Sequence, residues 1–96
     1  MTVRYTRDAL EDLEQISAYL SGLNPSAAAA VLSAIERVIA RLDRFPHSAP
    51  ETEIAGVRAT PALRYPYIVF YRVRRGDIEV LYVRHAARRR PWEIEP

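Results

Sequence analysis

Apolar positions along the chain follow two different periods. Ala9, Leu13, Ile16 and Leu20 recur at spacings of four, three and four, with Leu10 widening the stripe, which predicts an amphipathic helix. Thr6 stands ahead of it as an N-cap whose hydroxyl accepts from an otherwise orphaned amide. Asp8, Glu11 and Asp12 put negative charge in the first turns, where the helix dipole favours it. Ser21-Gly22-Leu23 predicts the stop, with Gly22 as a left-handed cap. Asn24-Pro25 then restarts a helix, Asn as cap and Pro in the first helical position. Val31, Ile35, Val38 and Leu42 repeat the same spacing, with Leu32 and Ile39 alongside. The run Ala27 to Ala30 adds helix propensity and allows close approach. Arg37, Arg41 and Arg44 complement the dipole near the C-terminal end, and Phe45-Pro46 closes the helix. So short a linker implies an antiparallel helical hairpin.

Beyond the polar loop from His47 to Glu53 the period becomes two. Strands are expected at Val3–Tyr5, Val57–Ala62, Tyr65–Arg74 and Asp77–Arg84, with Arg75-Gly76-Asp77 as the tight turn of a hairpin. The order β-α-α-β-β-β predicts an α+β domain over residues 1–96, a helical hairpin packed on one face of a small, mainly antiparallel sheet. In the third strand Tyr65, Tyr67, Val69, Tyr71 and Val73 alternate with Ile68, Phe70, Arg72 and Arg74. In the fourth, Ile78, Val80 and Tyr82 alternate with Glu79, Leu81 and Val83. Both faces are therefore substantially apolar, and two helices cover only one. The other face is expected to meet a partner, the competing expectations being cover by loops and the C-terminal tail, or self-association.

Charge sharpens this picture. Residues 1–54 carry a balance of −3 and residues 55–96 one of +5, and all 14 basic residues are arginine. Arginine binds carboxylate or phosphate through a bidentate fork but does not serve as a base. Cysteine is absent, which excludes disulfides, zinc knuckles and thiol chemistry. The two histidines lie far apart without metal-ligand spacing, so neither a metal nor a cofactor is expected. No apolar run reaches the ~20 residues of a membrane span, and the N-terminus is too acidic for a signal peptide, so a soluble cytoplasmic protein is expected. His85, as an imidazole, is a candidate acid or base, although no carboxylate at an obvious spacing orients it. Arg88-Arg89-Arg90 beside Trp92 suits phosphate or an acidic protein, with Arg58, Arg64, Arg72 and Arg74 on the same half of the chain.

Several local patterns, in this order, resemble the ParE/RelE superfamily of bacterial toxins. They are Tyr5-Thr6-x-Asp8-Ala9, Phe45-Pro46, Gly56-Val57-Arg58, Arg64-Tyr65-Pro66-Tyr67-Ile68-Val69-Phe70-Tyr71-Arg72-Val73 and Val83-Arg84-His85-Ala86-Ala87-Arg88. The likeness runs from about Val3 to Trp92. The absence of lysine, and His85-x-x-Arg88 after a Tyr-Pro-Tyr strand, are more similar to the ParE branch. That resemblance implies a type II toxin, of the kind associated with plasmid stabilisation, which inhibits growth by binding DNA gyrase without bond chemistry of its own. It also implies a cognate antitoxin in tight complex. Under it, Arg58, Arg64, Arg72, His85, Arg88 and Arg89 form the polar contact set for target or antitoxin, with Tyr67, Tyr71 and Trp92 as aromatic contacts. The alternative branch implies a ribosome-dependent mRNA endonuclease in which Arg58, Arg64 and Arg72 stabilise phosphorane charge and His85 or Tyr82 moves protons. A third reading is a non-toxic binding module with the same fold.

Overall fold

The computed structural model describes residues 2–93. Thr6 opens the first helix as its position predicts: its hydroxyl accepts from the Ala9 amide at 3.1 Å, and the helix α1 spans Arg7–Leu23. The stop is different from the one expected. Gly22 is not in the left-handed region; the helix runs through it, and Asn24 closes α1 by donating its amide to Leu20 O at 2.8 Å. A glycine inside a helix costs about 1 kcal/mol relative to alanine, too little to end one that a better cap terminates two residues on. The same Asn24 opens α2, Pro25–Arg44, its Oδ1 accepting from Ser26 and Ala27. One residue thus serves as both caps, and the two helices fold back as a hairpin.

Four strands complete the order β-α-α-β-β-β: β1 Val3–Tyr5, β2 Arg58–Pro61, β3 Tyr67–Arg74 and β4 Asp77–His85. They form one mixed sheet in the order β1-β4-β3-β2, with β1 parallel to β4 and the remaining pairs antiparallel. Arg75 and Gly76 turn β3 into β4 with positive φ at both positions, 52° and 81°. That is the signature of a two-residue I′ turn, in which glycine carries no Cβ penalty.

The register of β3 against β4 is irregular at one point. Tyr71 faces Val80, but Phe70 faces Tyr82, so Leu81 is an extra residue on β4. A bulge of this kind inverts the alternation beyond it. Strict period two groups Tyr82 with Ile78 and Val80; the structure instead puts Val83 with them in the core, 1 % exposed, and leaves Tyr82 half-buried.

Helices cover the face formed by Tyr67, Val69, Tyr71, Ile78, Val80 and Val83, supplying Ala9 from α1 and Val31, Ile35, Val38, Ile39 and Leu42 from α2. The face expected to stay open is closed at its centre by the C-terminal tail. Phe70 is only 2 % exposed, with Trp92 edge-on at 5.4 Å between ring centroids and 83° between planes. No helix among the described residues is long and apolar enough to cross a membrane.

Candidate functional site

Short β1 leaves the outer edge of β4 bare beyond Val80, and α1 takes over its hydrogen bonding. The Thr6 amide donates to Val80 O at 3.0 Å, and the Thr6 hydroxyl donates to Leu81 O at 2.8 Å. Nearly two turns further, Asp12 Oδ2 accepts from the Val83 amide and from Arg84 Nε, both at 3.0 Å. Asp12 is a buried charge, which is stable only with such partners. The device holds the last residues of β4, and therefore His85, at a fixed place against α1.

Past β4 the chain makes a tight turn. His85 Nδ1 accepts from the Ala87 amide at 3.0 Å, its carbonyl accepts from the Arg88 amide at 3.0 Å, and the Ala86 amide reaches back to Pro66 O at 2.7 Å. With Nδ1 accepting, a neutral imidazole carries its proton on Nε2. The ring stands edge-on to Tyr67, 5.5 Å between centroids. His85 and Arg88 then form a ridge between two clefts. On the helix side lies a groove of about 360 Å³ lined by Gln15, Ile16, Tyr19 and Tyr67. On the other side lies a cleft of about 260 Å³ lined by Ile68, Phe70, Arg84, Arg89 and Arg90. Arg88 and Arg89 are exposed and form no ion pair among the described residues.

The tail wall of the second cleft is built from Glu53, Arg90 and Trp92. The indole N–H of Trp92 donates to Glu53 Oε2 at 3.0 Å, and Arg90 Nε lies 3.5 Å from Glu53 Oε1. The Arg90 guanidinium stands 5.8 Å from the Phe70 ring centre and 5.7 Å from that of Trp92. Its Nη1 is buried without a hydrogen-bond partner among the described residues, and the aromatic faces supply the compensating attraction. The Glu53 carboxyl is held below its ordinary value first by its own backbone amide, then by Trp92 and Arg90. Trp92 is thus occupied within the chain.

Other residues expected at a contact surface are engaged within the fold, Arg64 excepted. Tyr71 is fully buried and its hydroxyl donates to Pro46 O at 2.9 Å; burial pushes the phenol above its usual value. Tyr67 is likewise a core residue, 8 % exposed. Both are structural because the face they share is the one the helices cover. Arg58 points to the helix side, where its Nη1 donates to the carbonyls of Ala49 and His47 and its Nη2 lies 3.8 Å from Glu51. Arg72 points to the opposite face and pairs with Glu79, its cross-strand neighbour. Tyr82 lies under Arg84, 5.1 Å from ring centre to guanidinium carbon. Arg64 is exposed in the loop before β3, at φ 76°. Of the ten residues expected from sequence, His85, Arg88 and Arg89 gather at one place. Arg58, Arg72 and His85, wanted together by a nuclease, do not converge.

Sequence reasoning gave Asp12 and Arg84 no site role, and it read Arg90 as part of a free basic run although Glu53 and the Phe70 and Trp92 rings hold it. An acidic residue three positions after Ala9, on the buried stripe of α1, was the available signal for Asp12, since a charge there requires a partner from the sheet.

The domain is a helical hairpin on a four-stranded mixed sheet, with His85, Arg88 and Arg89 gathered at the end of β4. The profile of the family described as "ParE toxin of type II toxin-antitoxin system, parDE" matches residues 3–90, and the chain belongs to that family. It is 36% identical over 89 residues to Y4kP of Sinorhizobium fredii, a protein named for an inferred toxin role; the match covers 93% of this chain and 92% of that one. Among solved structures it resembles the chromosomal ParDE toxin–antitoxin system from P. aeruginosa, with a TM-score of 0.78 and 26% identity over 88% of this chain and 95% of that one. It also resembles the RelBE2 toxin–antitoxin complex from Mycobacterium tuberculosis, with a TM-score of 0.56 and 30% identity over the same shares of 88% and 95%. The protein is a type II toxin of the ParE/RelE superfamily.

Proposed function

We propose that this toxin arrests growth in the cytoplasm by binding DNA gyrase through the His85–Arg88–Arg89 ridge, and that a cognate antitoxin neutralises it by tight association. The observation that carries the reading is the division of the arginines. Arg58 and Arg72, which a phosphoryl-transfer site would need free, are engaged on opposite faces of the sheet, whereas Arg88 and Arg89 are unpaired at the surface among the described residues. Unpaired, exposed arginine beside an aromatic wall suits recognition more than bond chemistry. An antitoxin partner is supported by structural relatives that are themselves toxin–antitoxin systems.

The test is gyrase supercoiling and DNA cleavage with antitoxin-free protein. Inhibition with trapped cleaved DNA is expected, and Arg88→Ala/Arg89→Ala should weaken it by about tenfold or more, as for loss of contact-surface arginines. No effect of folded protein at excess over gyrase overturns the reading.

One observation favours a second reading, a ribosome-dependent mRNA endonuclease. His85 keeps Nε2 available at the lip of an arginine-lined cleft, where a proton-transfer group would stand. Ribosome-dependent mRNA cleavage by the purified protein separates the two: cleavage that His85→Ala abolishes, with stability and antitoxin binding intact, supports the nuclease, and no cleavage supports the gyrase binder.

A further inference from the structure

The ridge at the end of β4 does not exhaust the unpaired cations. A groove of about 690 Å³ runs between α2 and the loop that leads into β3, lined among others by Ala30, Ser33, Arg37, Arg41, Leu63 and Arg64. Arg37 and Arg41 stand one turn apart on α2 and so share a face of the helix. Arg64 faces them from the loop. Among the described residues none of the three makes an ion pair or side-chain hydrogen bond, although Arg4, Arg7, Arg58, Arg72, Arg84 and Arg90 all meet carboxylates.

Two further features point to an occupant. Arg64 is held at φ 76°, a left-handed conformation that destabilises a residue with a Cβ and that glycine would adopt freely. The chain keeps an arginine where its own stability favours glycine. Beside it Leu63 is 64% exposed, an apolar anchor on the rim of a charged groove. Three cations around a groove with an alanine and serine floor and a leucine rim match a polypeptide with carboxylates and an apolar side chain. A phosphate backbone would leave Leu63 and the alanine floor without partners.

We propose that this groove docks an acidic, apolar-anchored segment of the antitoxin, and that it is separate from the target-binding ridge. The partner's identity rests on the function proposed above; the surface and its chemistry rest on the groove. The two sites share no lining residue: neither cleft flanking His85 includes Arg37, Arg41, Leu63 or Arg64. Antitoxin affinity and target inhibition therefore depend on different arginines.

The experiment measures antitoxin affinity by calorimetry, and gyrase inhibition by the antitoxin-free protein, for wild type, Arg37→Glu/Arg41→Glu and Arg64→Gly. Reversing two charges opposite carboxylates is expected to weaken antitoxin binding about 100-fold while gyrase inhibition is unchanged. Arg64→Gly should weaken binding about tenfold. Relief of its strained backbone should also raise the melting temperature by about 4 °C, a pairing of signs that a purely structural residue would not give. Wild-type affinity in the double variant overturns the inference. So does joint loss of antitoxin binding and gyrase inhibition at an unchanged melting temperature, because the two surfaces would then be one. A wild-type chain that binds no antitoxin overturns instead the reading on which the partner's identity rests.

Discussion

Asp12 shows how much of this molecule depends on single charges in partly buried places. Its carboxylate closes the bare edge of β4 and neutralises Arg84, so Asp12→Ala leaves a backbone amide and a guanidinium without partners. A loss of about 3 kcal/mol is expected in urea unfolding, as for one half of a buried pair. Glu53 works in the opposite setting, at the surface. Its carboxyl lies below the ordinary 4.5, so its contribution is present above that value and is lost as pH falls through the lower folded one. Trp92, the single tryptophan, reports this directly. Its emission should shift to the red on acidification below 4.5, and in Glu53→Gln the pH-dependent step should shrink. The arginines were visible in the sequence, but their partners were not: nothing local to Arg58 or Arg72 distinguishes a tethered cation from a free one. Only the fold, by setting Glu79 across from Arg72 and the 47–49 carbonyls over Arg58, makes that division.

Among elements, the helices and the hairpin were legible because their signals are local: Thr6 and Asn24 as caps, Pro25 at the first position, Gly76 in the turn. The end of α1 was not, because Gly22 carries a stop signal that a stronger cap two residues later overrides. The parity of β4 was not either, since a bulge is a relation between two strands and neither strand's sequence contains it. The β3–β4 turn offers a test of the reasoning that did succeed. Arg75 sits at φ 52°, a position that suits asparagine better, so Arg75→Asn should stabilise the fold by about 0.5 kcal/mol in thermal unfolding. Gly76→Ala, at φ 81°, should destabilise it by about 1 kcal/mol.

For the molecule as a whole, the balance of −3 in residues 1–54 against +5 in residues 55–96 concentrates positive charge in the segments that follow the helical hairpin. If the groove of Arg37, Arg41 and Arg64 receives an acidic segment as proposed above, the association rate should fall about tenfold between 0.02 and 0.5 M salt while dissociation changes less, measurable by stopped flow. Leu81 has a consequence on the longer scale of descent. Because the extra residue moves the inward alternation from Ile78 and Val80 to Val83, the two halves of β4 are set one residue out of phase with each other while both keep an inward residue in the core. A lineage that loses Leu81 regains a regular ladder with Val83 still inward, so the extra residue can come and go without rewriting the interior. Alignments of relatives should therefore place single-residue gaps at this point of the strand, with the facing of the positions matching Val83, Arg84 and His85 unchanged.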